Sequence, residues 1–155
     1  MKKFILIIFL LILASTLISC DSSEKLDVRN LQKSTYDASL QSKNVMLSIN
    51  EKIITKETEA ITLKLTNVSN EKYIFGADLH LEVEIDGIYY IQPTLENIAW
   101  PAIGYILLPK ESREIDFLII SNYGPLNPAN YRIIKQLSSD ISNEEFVVAE
   151  FQIQK

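Results

Sequence analysis

The sequence predicts an all-β fold, a sandwich of two antiparallel sheets built from seven or eight short strands. From residue 45 onward, apolar side chains recur at every second position over several stretches, and this pattern is typical of strands with one buried and one solvated face. Turn-forming residues separate these stretches at intervals of roughly ten residues, and no long helical pattern interrupts them. The chain has 155 residues, of which 47% are apolar. That is enough for one such domain.

Five stretches carry the alternation. Their apolar positions are Val45, Leu47 and Ile49; Ile61, Leu63 and Leu65; Leu79, Leu81, Val83 and Ile85; Ile115, Phe117 and Ile119; and, less strictly, Phe146, Val148 and Phe151. The turns between strands are predicted at Asn67–Asn70, Asp86-Gly87, Pro109–Ser112 and Gly124-Pro125. In the second of these, glycine supplies the positive φ that a tight hairpin requires.

Composition excludes several classes of function. The formal net charge is −5, whereas nucleic-acid binding needs clustered Lys and Arg to neutralise phosphates. A single cysteine excludes an intramolecular disulfide and a multi-cysteine zinc site. A single histidine, His80, leaves no His cluster for a metal and no second base for a nucleophile. We therefore expect no metal, no cofactor and no nucleic-acid partner.

The N-terminus predicts export. Lys2 and Lys3 precede an apolar run from Phe4 to Ala14, which is too short to cross a hydrocarbon core that needs about 20 residues but fits a secretory signal. The segment then resembles a bacterial lipoprotein signal, with Leu17-Ile18-Ser19-Cys20 in the place of the lipobox. The resemblance implies cleavage after residue 19, acylation of the Cys20 thiol, and attachment to the exported side of the cell membrane or envelope.

The segment after the signal is polar. Residues 20–43 show no clean alternation and only a thin helical stripe of Leu26, Val28 and Leu31. We interpret them as a flexible tether between the lipid and the domain. The predicted organisation is a signal peptide at residues 1–19, a tether at 20–43 and a β-sandwich domain at 44–155.

The stretch from Val45 to Ile153 resembles the bacterial immunoglobulin-like domain of small cell-envelope lipoproteins. The segments that match the family pattern, in order, are Ile61–Asn67, Tyr73–Asp78, Leu81-Glu82, Asp86–Tyr90, Gly104–Pro109, Leu126–Ile133 and Ala149–Ile153. Two positions depart from it: Tyr89 replaces a tryptophan, and Ala129-Asn130 follows Pro128 where a glycine is usual. The resemblance implies an immunoglobulin-like sandwich and an envelope location, and it brings no catalytic motif.

Aromatic side chains are the first candidates for a binding face. Tyr89, Tyr90, Trp100 and Tyr105 would suit a saccharide or a peptide, since aromatic rings give large contact area with a polar handle. We favour the alternative that they fill the core and cover strand edges. We expect Tyr131 to be structural, with its hydroxyl bonded to nearby backbone, and His80 to point to solvent.

The carboxylates offer a second set of candidates. The acidic residues near the second and third stretches are Glu57, Glu59, Asp78, Glu82, Glu84 and Asp86. Hydrolysis needs two carboxylates across a cleft, and a calcium loop needs closely spaced Asp and Asn. We interpret Glu82, Glu84 and Asp86 instead as a solvated stripe on one strand face. Asn67-Val68-Ser69 matches a glycosylation sequon, but we expect a turn there.

These observations favour a lipid-anchored envelope lipoprotein whose Ig-like domain is a binding or structural module and not an enzyme. Its expected partners are the membrane, through lipid on Cys20, and an envelope protein or a saccharide; we expect a monomer. The alternative is a proteinaceous inhibitor of an envelope protease or wall hydrolase. Its inserted loop would be Gly124–Pro128 or Trp100-Pro101.

Overall fold

The computed structural model describes residues 28–142 and 144–154. Within these residues the chain forms ten strands, a one-turn helix and two 3-10 turns. The elements are 3-10 turns at Val28–Asn30 and Ala38–Leu40, β1 (Val45–Ile49), β2 (Ile54–Thr55), β3 (Ala60–Asn67), β4 (Tyr73–Phe75), β5 (His80–Ile85), β6 (Ile88–Ile91), β7 (Tyr105–Leu107), β8 (Ser112–Leu118), α1 (Ile119–Tyr123), β9 (Asn130–Ser139) and β10 (Glu145–Gln154). The all-β class is confirmed. The count exceeds seven or eight because β2, β4 and β7 have only two or three residues.

The strands form two sheets. Sheet one has the order β1-β3-β8 and is antiparallel throughout. Sheet two has seven strands, in which β9 pairs with β10 along one edge and with β5 and β4 along the other. The pairing of β2 with β10 is parallel, so the expectation of purely antiparallel sheets is corrected at this one ladder.

The core lies between the sheets, where the alternation predicted it. Ile61, Leu63 and Leu65 of β3 are at most 1% exposed. Phe117 of β8 is 1% exposed, while its neighbour Asp116 is exposed. The alternation in sheet one therefore has the predicted phase.

The phase predicted for β10 is wrong at two of its three positions. Val147, Ala149 and Ile153 are the buried residues of this strand, whereas Phe146 and Val148 lie half-buried on the other face. Their apolar character has a local cause, because the ring of Tyr36 packs edge-on against Phe146 at a centroid distance of 5.8 Å. The outer face of β10 is therefore apolar as well, and its residues were taken for the core-facing ones.

Two predicted turns are confirmed in detail. Asp86 and Gly87 both have positive φ, 51° and 77°, as a two-residue hairpin between β5 and β6 requires. The side chain of Asn67 is 1% exposed; its amide donates to the carbonyls of Glu71 at 2.7 Å and Leu108 at 3.0 Å, and its oxygen accepts from Ser69. This amide is therefore a structural part of the turn.

The described part of the predicted tether is docked on the domain, which corrects that expectation. Residues 31–42, here named the strap, cross the outer face of sheet two. The Ser34 N–H donates to the Tyr89 carbonyl at 3.0 Å, and the Ser42 N–H donates to the Phe146 carbonyl at 2.8 Å. Backbone hydrogen bonds of this kind need no apolar periodicity, so the polar sequence gave no sign of the docking. Residues 20–27, Cys20 and the signal at 1–19 lie outside the described residues.

None of the helices in the described residues is long and apolar enough to cross a bilayer.

Candidate functional site

A lysine occupies a core position of sheet two. Lys135 of β9 is in phase with the buried residues Ile133 and Leu137, and only 1% of its side chain is exposed. Its ammonium donates to the Asp78 carbonyl and to the Asp78 carboxylate, the latter at 3.3 Å. Burial lowers the pKa of Lys135, and the nearby Asp78 carboxylate offsets part of that effect. A buried cation of this kind is costly unless it is paired.

The lysine lies at one side of a pocket between the two sheets. We name this space, about 360 Å³ in volume, the aromatic pocket. The residues that define it are Phe75, Trp100, Tyr105, Arg113, Asp116 and Lys135. Its volume falls within the range of small-molecule sites. Its lining is also typical of such sites, because apolar walls are combined with a few convergent polar groups.

The pocket wall is built by cross-strand pairing. Phe75 and Tyr105 are register partners in β4 and β7, and their rings stack at 5.5 Å. The Arg113 guanidinium from sheet one lies over the Tyr105 ring at 4.8 Å. Both sheets therefore contribute to one wall, and its rings are held from two sides.

Gly76 makes room for the ion pair beside the pocket. A Cβ at this position would lie 2.5 Å from the Asp78 carboxylate oxygen Oδ1. The same oxygen accepts from Lys135. Any side chain at residue 76 would displace the carboxylate from its cation.

The aromatic residues singled out in the sequence lie on two faces of sheet two. Tyr90, Trp100 and Tyr105 are partly buried and pack against the core, as the favoured interpretation predicted. Trp100 and Tyr105 also line the aromatic pocket, as a binding role would require. Tyr89 lies on the opposite face of β6 and takes part in a separate cluster around Arg132.

That cluster holds a second cation, Arg132, whose side chain is 13% exposed on the outer face of sheet two. The Arg132 Nε donates to the Glu82 carboxylate at 2.7 Å, and Nη2 donates to Ser34 of the strap at 3.1 Å. Its guanidinium lies 3.8 Å from the Tyr89 ring centroid and 4.9 Å from that of Tyr36. Burial raises the pKa of both tyrosines, so they stay neutral around the cation.

The prediction of a solvated acidic stripe is wrong for Glu82. Glu82 is 3% exposed and lies directly opposite Arg132 in the β5–β9 register. Glu84 accepts from the Asn130 amide at 2.9 Å, and Asp86 is exposed at the hairpin. In the described residues, no three His, Cys, Asp or Glu side chains come together as a metal site would need.

The remaining predictions concern Tyr131, His80 and the proline-flanked loop. The Tyr131 hydroxyl donates to the Asn127 carbonyl at 2.9 Å, and His80 is exposed, as predicted. The loop Gly124–Pro128 is held against the core, because Leu126 is 4% exposed and Asn127 accepts that bond. A loop held in this way is not a protruding segment of the kind an inhibitor inserts.

Lys135 and Arg113 were missed as site residues, and Asp78 was considered only among the acidic candidates for a calcium or paired-carboxylate site. A signal for the lysine was present, since Tyr131, Ile133, Lys135 and Leu137 alternate in one phase. A cation in the phase of a core face indicates either a buried ion pair or a site. Its partner Asp78 is 57 positions away in sequence, and nothing local identifies it.

Comparison with known families decides the relationship of the chain. The model of the bacterial Ig-like domain matches residues 41–152. The chain belongs to the bacterial Ig-like domain family. The Ig-like fold and the coarse role of a structural or binding module follow from this membership. No curated protein matches the sequence.

Several solved structures are similar to the Ig-like domain. The archaellum periplasmic stator protein FlaG from Sulfolobus acidocaldarius is 18% identical with a TM-score of 0.40, over 69% of this chain and 99% of that one. A PapD-like domain of human CEP192 is 12% identical with a TM-score of 0.37, over 84% and 97%. A β-glucosidase from Kluyveromyces marxianus is 15% identical with a TM-score of 0.33, over 72% of this chain and 14% of the enzyme. With TM-scores below 0.5, none of these likenesses bears on function.

Proposed function

We propose that this protein is a lipid-anchored module of the bacterial cell envelope that binds a saccharide in the aromatic pocket. The observation that carries the binding proposal is the buried Lys135 beside the aromatic wall. An ammonium has three N–H donors, and among the described residues its acceptors are two oxygens of Asp78. The remaining N–H has no oxygen acceptor among the described residues, where the ammonium also lies 5.8 Å from the centre of the Phe75 ring, and it is the donor that a ligand oxygen would use.

The other groups of the pocket favour a sugar over a purely apolar ligand. A sugar ring has one face of C–H bonds and a rim of hydroxyls, each of which both donates and accepts. The rings of Trp100 and Tyr105 suit the face, and Lys135 can donate to a hydroxyl. A purely apolar ligand would leave the charged groups without partners, which costs binding free energy.

The anchor is supported by the sequence of the N-terminus. The two lysines, the apolar run and the small residue before Cys20 occur in the order of a lipoprotein signal. Each buried methylene of an acyl chain contributes about 0.8 kcal/mol, so two or more chains hold a protein stably where one does not. The whole chain has a formal net charge of −5, and the proposed cleavage removes Lys2 and Lys3, so the anchored protein is more acidic still. Anionic head groups would repel it, so attachment rests on the lipid.

The pocket is tested by titration of the full chain, in non-ionic detergent, with an N-acetylglucosamine tetramer and with soluble glycan strands from bacterial cell wall. Trp100 is the only tryptophan of the chain, so its fluorescence reports on the pocket directly. We expect Tyr105→Ala and Lys135→Met each to weaken binding at least about tenfold, or 1.4 kcal/mol.

The matched control is Tyr89→Ala, an aromatic truncation on the outer face, which should leave affinity unchanged. Equal affinity of wild type and both pocket variants, or no fluorescence response to either glycan, would refute the saccharide proposal.

The anchor is tested by Cys20→Ser, with Ser19→Ala as the control that keeps a small residue before the cysteine. The cysteine variant should remain uncleaved and unlabelled by radioactive palmitate, whereas the control should be cleaved and labelled. Equal lipid incorporation in both would contradict acylation at Cys20.

A further inference from the structure

A second groove lies between the sheets, beside β1 and the outer edge of β10. We name it the edge groove; it has a volume of about 710 Å³. Its walls include Leu47 and Glu51 from the sheet-one side and Val148, Glu150 and Gln152 from β10. It shares no lining residue with the aromatic pocket.

The outer edge of β10 is paired at both ends and unpaired in between. Gln41 of the strap forms a parallel bridge with Phe146, and Ile54 of β2 pairs in parallel with Ile153. Between these positions, residues 147–152 have no strand partner on this edge within the described residues. The chain leaves sheet two after the strap, builds β1 in sheet one, and returns as β2.

The backbone groups of alternate residues face the groove. The Phe146 carbonyl accepts from Ser42 on the outer edge, whereas the Ile153 N–H donates to Ala129 on the β9 side. Because the direction of backbone groups alternates along a strand, the N–H and C=O of Val148 and Glu150 point toward the groove. Unpaired strand edges of this kind are templates for another strand.

The gap has the dimensions of a short strand. Six residues at about 3.3 Å each span about 20 Å. A flat sheet edge from a second copy would meet the strap and β2 at either end of the gap. A single extended segment avoids both, which favours a peptide over an edge-to-edge dimer.

One carboxylate oxygen in the groove has no partner. Glu51 Oε1 accepts from the Thr62 N–H at 2.9 Å, while Oε2 is buried and has no hydrogen-bond partner among the described residues. A buried acceptor left unpaired is costly, and a cationic donor from a bound segment would satisfy it.

We propose that the edge groove binds an extended polypeptide segment of a partner protein, which adds to sheet two as a strand beside β10. The segment spans about six residues and pairs through its backbone with Val148 and Glu150, the mode known as β-augmentation. Alternate apolar side chains of the segment face Leu47 on the core side, and a Lys or Arg of the segment faces Glu51.

The test selects peptides on the full chain, held in non-ionic detergent, from a phage-displayed library of random octapeptides. An enriched peptide is then titrated into isotopically labelled protein and followed by amide NMR shifts. We expect enriched sequences to combine alternate apolar residues with one Lys or Arg. The largest shifts should fall on the amides of Val148, Glu150 and Gln152.

A pair of variants at one position separates backbone pairing from side-chain contact. Glu150→Pro removes an N–H that faces the groove and that the β9 ladder does not use, a position where an edge strand tolerates proline. It should weaken peptide binding about tenfold, the equivalent of one net hydrogen bond. Glu150→Ala keeps the N–H and should leave affinity within about twofold.

Methylation of the peptide amides repeats the test on unaltered protein, should Glu150→Pro reduce folding. Methylating the amides that face β10 should abolish binding, and methylating the alternate amides should not. Glu51→Gln should remove the preference for Lys or Arg in a repeated selection. Failure to enrich any peptide, shifts confined to the aromatic pocket, or equal tolerance of methyl groups at both sets of amides would overturn the proposal.

Discussion

Arg132 and Lys135 lie three positions apart on β9, yet they face opposite sides of sheet two and differ in how fully they are partnered. The Arg132 guanidinium is bonded to Glu82 and Ser34, with the rings of Tyr89 and Tyr36 nearby. The ammonium of Lys135 has acceptors on a single residue, Asp78, among the described residues. Arg132 has partners on two strands and the strap, whereas Lys135 has oxygen acceptors on one residue and one ring, that of Phe75, 5.8 Å away.

The difference separates a structural ion pair from a binding group. A guanidinium fork can satisfy several planar partners at once, which suits it to a fixed cluster. An ammonium is a compact donor whose protonation responds to burial, and the lowered pKa of Lys135 fits that description. The outer cluster is therefore expected to govern stability, and the inner lysine to govern ligand binding.

The largest expected effect is the loss of the outer cation. Arg132→Met leaves the Glu82 carboxylate, whose side chain is 4% exposed, without its counter-charge. Removal of one member of a buried pair costs about 3–5 kcal/mol. Chemical denaturation of the full chain in non-ionic detergent measures it, with Glu82→Gln plus Arg132→Met as the control that removes the stranded charge. If the single and double variants lose the same free energy of unfolding, the unpaired Glu82 charge is not the cause of the destabilisation.

Alkaline titration tests the inner face, where burial raises the pKa of Tyr131 to about 12 from an ordinary value of 10.0. Between these values the unfolded tyrosine loses its proton while the folded one keeps it, so stability is complete below pH 10 and falls as pH rises toward 12. Tyr131 should contribute a loss of about 2.7 kcal/mol across this range, and Tyr123, also raised to about 12, a similar one.

Tyr131→Phe is the matched variant for that titration. It should cost about 1 kcal/mol at pH 7 through the lost bond to Asn127 and should show a shallower alkaline decline than wild type. Parallel pH profiles of the two proteins would contradict the raised pKa.

Deletion of the strap should cost about 2 kcal/mol, since it removes a cation–π contact and several backbone hydrogen bonds but also releases the entropy of ordering them. A chain of residues 44–155 should still fold, because its core side chains lie outside the strap. The cost of Arg132→Met should shrink in this shorter chain, where Glu82 gains access to water. If Arg132→Met destabilises the shorter chain as much as the full chain, the strap does not contribute to the burial of the Arg132–Glu82 pair.

The smallest stability effect is expected at the inner lysine. Lys135→Met replaces a buried charge with an apolar chain of similar length, and the Asp78 carboxylate it leaves is 40% exposed and close to His80. The free energy of unfolding should change by less than about 1 kcal/mol at pH 7. Because the pKa of the buried ammonium is lowered, its unfavourable contribution to wild-type stability should fade as pH rises toward 10.5. A loss as large as that of Arg132→Met would assign Lys135 a structural role.

Sequence reasoning succeeded where one face of a strand decides the burial of its side chains. The alternation in β3 and β8 placed Leu63 and Phe117 correctly, and the Asp86-Gly87 pair marked its hairpin. It failed where a second layer covers an outer face, as at Phe146 and Glu82, because alternation describes one strand and not what lies over it. The cation pairs could not be predicted because their members are distant in sequence: sheet register brings Glu82 opposite Arg132, and the segment before β5 brings Asp78 to Lys135.

The order of strands along the chain also bears on when the domain can form. β2, β4 and β5 all pair with β9 or β10, and β6 and β7 join the sheet through β5 and β4. During synthesis from the N-terminus, the β5–β6 and β4–β7 pairs can form early, but they cannot join into one sheet until Asn130–Gln154 have emerged. Pairing over such distances is slow, so we expect sheet two to form only after its last two strands have been synthesised.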